Sequence, residues 1–119
     1  MDTILIEGLS TQASIGVFDW EKQIQQRLEL DLALETDLAK PARSEQLSDT
    51  LDYARISQDV LGLIHQRHYD LIETLAETIT EALLQQHPLI HRITLTLRKP
   101  DAVPQARSVG LRISRQRSV

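Results

Sequence analysis

The sequence predicts a two-layer α+β domain of order ββααββ, a four-stranded antiparallel sheet with two helices packed on one face. Three observations predict it. Leu28, Leu30, Leu32 and Leu34 recur at every second position with Glu29, Asp31, Ala33 and Glu35 between them, the period of a strand with one face in a core. Tyr53, Ile56, Val60, Leu63 and Ile64 recur at spacings of three and four, and Ile72, Leu75, Ala76, Ile79 and Leu83 do so again, the period of two amphipathic helices. Ile93, Leu95 and Leu97, then Val109, Leu111 and Ile113, return to the period of two. Two amphipathic helices cover one face of such a sheet and leave the other polar.

The first strand starts at Ile4 and continues irregularly to Ile15, with a bend expected near Gly8. The second runs from Arg27 to Leu38. Between them, Gly16-Val17-Phe18-Asp19-Trp20-Glu21-Lys22 is too long for a two-residue turn and rich in large side chains. Residues 39–52 contain Pro41 and several Ser, Asp and Thr without a sustained period, so they read as a loop with room for one helical turn. The first helix is expected from Tyr53 to about His68. The second follows at once, with Asp70 as its N-cap and Pro88 as its stop. Lys99 closes the third strand, and the fourth spans Val109 to Ser114. The uncovered sheet face carries acids on the second strand (Glu29, Asp31, Glu35) and bases on the third and fourth (Arg92, Arg98, Arg112). Opposite signs across strands complement one another and suit either solvent or the lumen of a barrel closed by several subunits.

A chain of 119 residues is one domain, residues 1–119, and hides only a modest fraction of its surface, which favours association of subunits. The net charge of -4, with only Phe18, Trp20, Tyr53 and Tyr69 as aromatic residues, argues against a nucleic-acid binder. Arg107, Arg112, Arg115 and Arg117 form the one basic cluster and read as a solvated strand end. There is no cysteine, hence no disulfide and no thiolate chemistry. Met1 to Leu5 lack a basic leader region, and no apolar run approaches the roughly 18 residues that span a bilayer. The expectation is a soluble cytoplasmic protein with no membrane partner.

Four residues are placed to carry chemistry. Glu73 follows Asp70 by three, the spacing of a capping box, yet a first-turn carboxylate held ionised by the helix dipole can also accept two N–H donors from a flat ligand edge. Lys99, before Pro100, would ordinarily extend into water; partly buried, its pKa would fall and it could act as a base near neutral pH. Glu21 is either a solvated loop acid or a catalytic one. Tyr53, at the head of a helix, is either plain core or a proton donor. His65 and His68 are three apart on a helix, and His87 and His91 flank Pro88, but neither pair has a second ligand set, so no metal site is expected. No glycine-rich phosphate loop and no Gly-x-Ser-x-Gly elbow is present, which leaves phosphoryl transfer and acyl-enzyme chemistry without a motif.

Over nearly its whole length the chain resembles the dihydroneopterin aldolases of folate biosynthesis. Ile15-Gly16-Val17-Phe18-Asp19-Trp20-Glu21, Leu51-Asp52-Tyr53, Leu71-Ile72-Glu73-Thr74-Leu75-Ala76-Glu77 and Leu97-Arg98-Lys99-Pro100 are similar, in order and separation, to four signatures of that family. Two departures are small: Phe18 stands where tyrosine is common, and Asp52 is at a variable position. The resemblance implies a tunnelling fold, whose ββααββ subunits join sheets side by side into a tetrameric ring, with two rings stacked into an octamer and active sites at subunit interfaces. It implies a carbon–carbon lyase that splits 7,8-dihydroneopterin into 6-hydroxymethyl-7,8-dihydropterin and glycolaldehyde, with C2′ epimerase side activity and no cofactor. It also implies roles. Glu73, with the backbone near Ile72, would hold the pterin; Lys99 would move protons near N5 and the side-chain hydroxyls; Glu21 would orient Lys99 and substrate; Tyr53, from a neighbouring subunit with the backbone of Leu51, would protonate C1′. The alternatives are a sister enzyme that epimerises dihydroneopterin triphosphate and a non-catalytic pterin-binding ring module.

Overall fold

A computed structural model describes residues 1–117. Its sheet has the order β1-β2-β3-β4, all antiparallel neighbours: β1 Asp2–Ala13, β2 Gln26–Thr36, β3 Arg92–Lys99 and β4 Val109–Gln116. The α+β class, the ββααββ order of the strands and long helices, and the helical layer agree with the sequence. The predicted bend is present in β1, where the pairing with β2 shifts between Ile6 and Leu9. Gly8 there has φ 67°, a left-handed conformation that costs glycine little, and its amide donates to Asp31 Oδ1 at 2.7 Å.

The long helices are α2 (Tyr53–His65) and α3 (Ile72–Gln86); ahead of them, between β2 and α2, a third helix α1 (Ala39–Ser44) forms where the sequence read as a loop with room for one helical turn. This third helix buries no residue, so it left no apolar period to read. Its Pro41 sits in the first turn, where a missing N–H costs nothing. The core forms between the layers: Leu28, Leu30, Leu32 and Leu34 of β2 and Ile93, Leu95 and Leu97 of β3 lie against Ile56, Val60 and Ile64 of α2 and Leu75, Ala76, Ile79 and Leu83 of α3. At about 1.5–3 kcal/mol for each large apolar side chain buried, this layer contact is the main source of stability.

Four expectations need correction. β1 ends at Ala13 rather than Ile15, and Ile15 instead forms an isolated parallel bridge with Tyr69. For the same reason α2 stops at His65 rather than His68: the chain must turn so that Tyr69 can be buried, with its hydroxyl donating to Leu63 O at 2.9 Å. Asp70 is not a cap. The N-cap position of α3 is Leu71, with no side-chain cap bond, because the Asp70 carboxylate lies toward His68 Nε2 at 3.2 Å. The C-terminal arginines are not merely solvated, since Arg115 pairs with Glu77 of α3 and Arg117 Nη2 donates to the carbonyls of His87 and Ile90 at 3.0 and 2.8 Å.

The polar sheet face does carry the expected charge complementarity. Arg98 meets Asp31 at 2.5 Å and Arg92 meets Glu35 at 3.5 Å, while Arg112 donates to Thr96 rather than to an acid. The hydrogen bonds from Arg98 and from the Gly8 amide hold the Asp31 carboxyl below its usual range.

Candidate active site

The inward phase of the sheet changes character at one end. Along β2, counting back by twos from Leu34, Leu32, Leu30 and Leu28 leads to Gln26; along β3, Ile93, Leu95 and Leu97 lead on to Lys99. Both polar residues therefore point to the helical side, where the apolar core stops. The connection Ser14–Gln25 leaves from this same end, since Ala13 pairs with Gln26. It carries Glu21 on a short 3-10 turn, Asp19–Gln23, closed by the Glu21 amide donating to Phe18 O at 2.9 Å.

Glu21 is buried, with 4% of its surface exposed, and every group around it is a donor. Lys99 Nζ lies 2.5 Å from Oε2, Gln26 Nε2 donates to Oε2 at 3.0 Å and the Phe18 amide donates to Oε1 at 3.2 Å. Burial alone would push the Glu21 carboxyl up; the bonds from Lys99, Gln26 and Phe18 outweigh it and hold the carboxyl below its usual range. Lys99 is itself mostly buried, so it does not extend into water as strand-end lysines ordinarily do. Gln26 also donates to Ile15 O at 2.7 Å, which ties the loop to the strand behind the ion pair. Gly16 makes the space for this arrangement. Its φ is 126°, and a Cβ there would overlap the Glu21 carboxylate.

Glu21 and Lys99 form one wall of a cleft of about 390 Å³, and Ile72 and Glu73 at the start of α3 form another. This volume is within the roughly 300–1,000 Å³ of small-molecule sites. Glu73 is exposed and is the second residue of α3, so its carboxylate stands beside the helix N-terminus without being spent on a capping box. That removes the structural reading of Glu73 and leaves an acceptor facing a cleft. The charged lining is Glu21, Asp70 and Glu73 against Lys99, a poor setting for a triphosphate.

Leu51 and Tyr53 are elsewhere. They line a second cleft, about 480 Å³, with Ile4, Gln46 and Thr50. Leu51 is buried, whereas Tyr53, first residue of α2, is 64% exposed and is not the core residue its helical spacing allowed. Gln26 was missed in the sequence, although a glutamine on the core phase of β2 was a usable signal. His65 and His68 do not share a helix: His65 ends α2 and His68 follows it. Among the described residues no group of three metal-ligating side chains is found, and no helix is long and apolar enough to cross a membrane.

The profile of the dihydroneopterin aldolase family matches residues 4–114. The chain belongs to the dihydroneopterin aldolase family. It is 37% identical over 115 residues to the dihydroneopterin aldolase of Haemophilus influenzae, covering 97% of each chain. The solved structure of the Escherichia coli dihydroneopterin aldolase in complex with neopterin superposes with a TM-score of 0.93 at 37% identity, covering 97% of this chain and 99% of that one. A dihydroneopterin aldolase from Burkholderia thailendensis, solved with guanine bound, superposes with a TM-score of 0.82 at 25% identity, covering 98% and 91%.

Proposed function

We infer that the chain cleaves 7,8-dihydroneopterin by a cofactor-free retro-aldol reaction, giving 6-hydroxymethyl-7,8-dihydropterin and glycolaldehyde for folate biosynthesis. The observation that carries this is the single cleft lined by the Glu21–Lys99 ion pair and by Glu73 in a chain of this family. Glu73 accepts the 2-amino and N3 hydrogens of the pterin edge, assisted by the backbone at Ile72. Neopterin and guanine, the ligands of the two structurally similar family members, share that amino-pyrimidinone edge. Bond cleavage needs a base for the 2′-hydroxyl, and Lys99, with Glu21 accepting from it, is the group able to relay that proton. The electron pair of the C1′–C2′ bond moves into the C6=N5 imine of the ring, so glycolaldehyde leaves and an enamine remains. Protonation at C1′ then completes the hydroxymethyl product. The same proton relay, returning the cleaved aldehyde on its other face, accounts for epimerisation at C2′.

Tyr53 is the proposed acid for C1′, and its placement in another cleft supports a site shared between subunits. With β1 and β4 as free sheet edges, copies join side by side into a tetrameric ring, and two rings give an octamer. In that assembly Leu51 and Tyr53 of one copy face the Glu21–Lys99 cleft of its neighbour. The test is to incubate the purified protein with 7,8-dihydroneopterin after EDTA treatment and follow both products. Stoichiometric glycolaldehyde and hydroxymethyl-dihydropterin are expected; no glycolaldehyde, or activity only after metal is restored, would overturn the proposal.

A further inference from the structure

Gly16 has more backbone freedom than any other residue type would have, and the site depends on its being held. Its amide is fixed, donating to Tyr69 O at 2.9 Å. Its carbonyl is met by the ring of His68, with Nε2 at 2.9 Å from Gly16 O. A carbonyl only accepts, so Nε2 carries the hydrogen, while Nδ1 lies in hydrogen-bond contact with the Ser14 hydroxyl at 2.5 Å. The Asp70 carboxylate, 3.2 Å from Nε2, is a second acceptor for that hydrogen. His68 thus joins the 14–16 segment to the 68–70 segment. The first leads through Val17 to the Phe18 amide that holds Glu21 Oε1, and the second leads into Ile72 and Glu73.

We propose that His68 is a positioning residue for the reaction, locking the Gly16 peptide so that the Glu21 carboxylate, and with it Lys99, is held in its productive orientation. It does not touch the Glu21–Lys99 pair and is not itself part of the cleft lining; it acts through Ser14 and through Gly16 and Asp70, which line the cleft. This rests on the reaction proposed above.

His68→Phe keeps a flat ring and deletes the donor to Gly16. It should lower kcat for 7,8-dihydroneopterin by at least about tenfold, within the roughly hundredfold that a one-ångström misplacement costs, while KM and the Kd for neopterin change by less than about twofold. Amide exchange at Phe18 should quicken while that within α3 stays unchanged. His68→Gln, whose amide nitrogen can take the place of Nε2, should restore both kcat and slow exchange. His68→Asn reaches Ser14 but not Gly16 and should behave like His68→Phe, so it carries the same test if the phenylalanine variant does not fold. Wild-type kcat and Phe18 exchange in the variants, a loss of kcat matched by loss of folded protein, or no rescue by glutamine would overturn the proposal. If the wild-type protein releases no glycolaldehyde, the proposed reaction fails, and Phe18 exchange alone then decides the role of His68.

Discussion

The two clefts are built on opposite terms. Around Glu21 and Lys99 the charges are buried and answered within the chain, by Gln26, the Phe18 amide and each other. Around Leu51 and Tyr53 the wall is a loop and a helix start, and the tyrosine stands 64% exposed. A buried ion pair is costly to assemble and costlier to break, so a chain that maintains one has committed that cleft to a fixed geometry. An exposed tyrosine at a helix start costs little and fixes nothing by itself. In the proposed reaction the contrast means that one chain would carry a rigid half and an adaptable half of the chemistry, the second taking its position from a neighbour in the proposed ring.

The contrast breaks most sharply at Lys99. Lys99→Met leaves Glu21 buried with no cation, so turnover should fall by about 10²–10⁴-fold and stability near neutral pH by about 3–5 kcal/mol. The pH dependence of that loss follows from the depressed Glu21 carboxyl. A group whose folded pKa lies below its ordinary 4.5 stabilises the fold above that value and loses the contribution as pH falls through the lower, folded value. Urea titrations should therefore show wild type and Lys99→Met converging in acid. A gap that persists unchanged to low pH would mean the stability loss is one of packing.

Tyr53→Phe is the converse test, and it should slow release of 6-hydroxymethyl-7,8-dihydropterin by about 10²–10⁴-fold while stability stays within about 0.5 kcal/mol of wild type. Co-refolding equal amounts of Tyr53→Phe and Lys99→Met should restore activity at about a quarter of the sites, those taking their lysine from one chain and their tyrosine from another. No recovery on mixing would place both residues in one chain's site. The smallest effect is expected at Glu73. Since it is exposed and serves no cap, Glu73→Ala should weaken neopterin binding by at least about tenfold, consistent with about 2–5 kcal/mol for a truncated charged pair, with melting temperature unchanged. A fall in melting temperature with intact affinity would return Glu73 to a helix-stabilising role.

Much of this was legible. The leucines of β2 and the stripes of α2 and α3 read directly, because burial on one face leaves a period in the sequence. Glu21, Glu73 and Lys99 were readable as candidates through their motifs, and the structure brings these three together. What could not be read depends on contacts between segments distant in sequence. Asp70 has the residue type and spacing of a cap, and it is His68 that draws it away. The length of α2 was overestimated because nothing local announces that Tyr69 must reach Ile15. Lys99 looked like a surface lysine, yet the parity of β3 already put it on the inward phase, and the same parity rule would have found Gln26. A polar side chain where the period demands an apolar one is a site signal that motif reading passes over.

The two edge strands are β1, which starts at Asp2, and β4, which ends at Gln116. That has a practical consequence for anyone handling the protein. In the proposed ring, an affinity tag fused close to either edge strand would lie along the border where another copy pairs its backbone, and a short stiff fusion there would hold the molecule as a solitary subunit. A long glycine-serine spacer, which keeps a fusion partner away from the strand it follows, is the arrangement this topology favours.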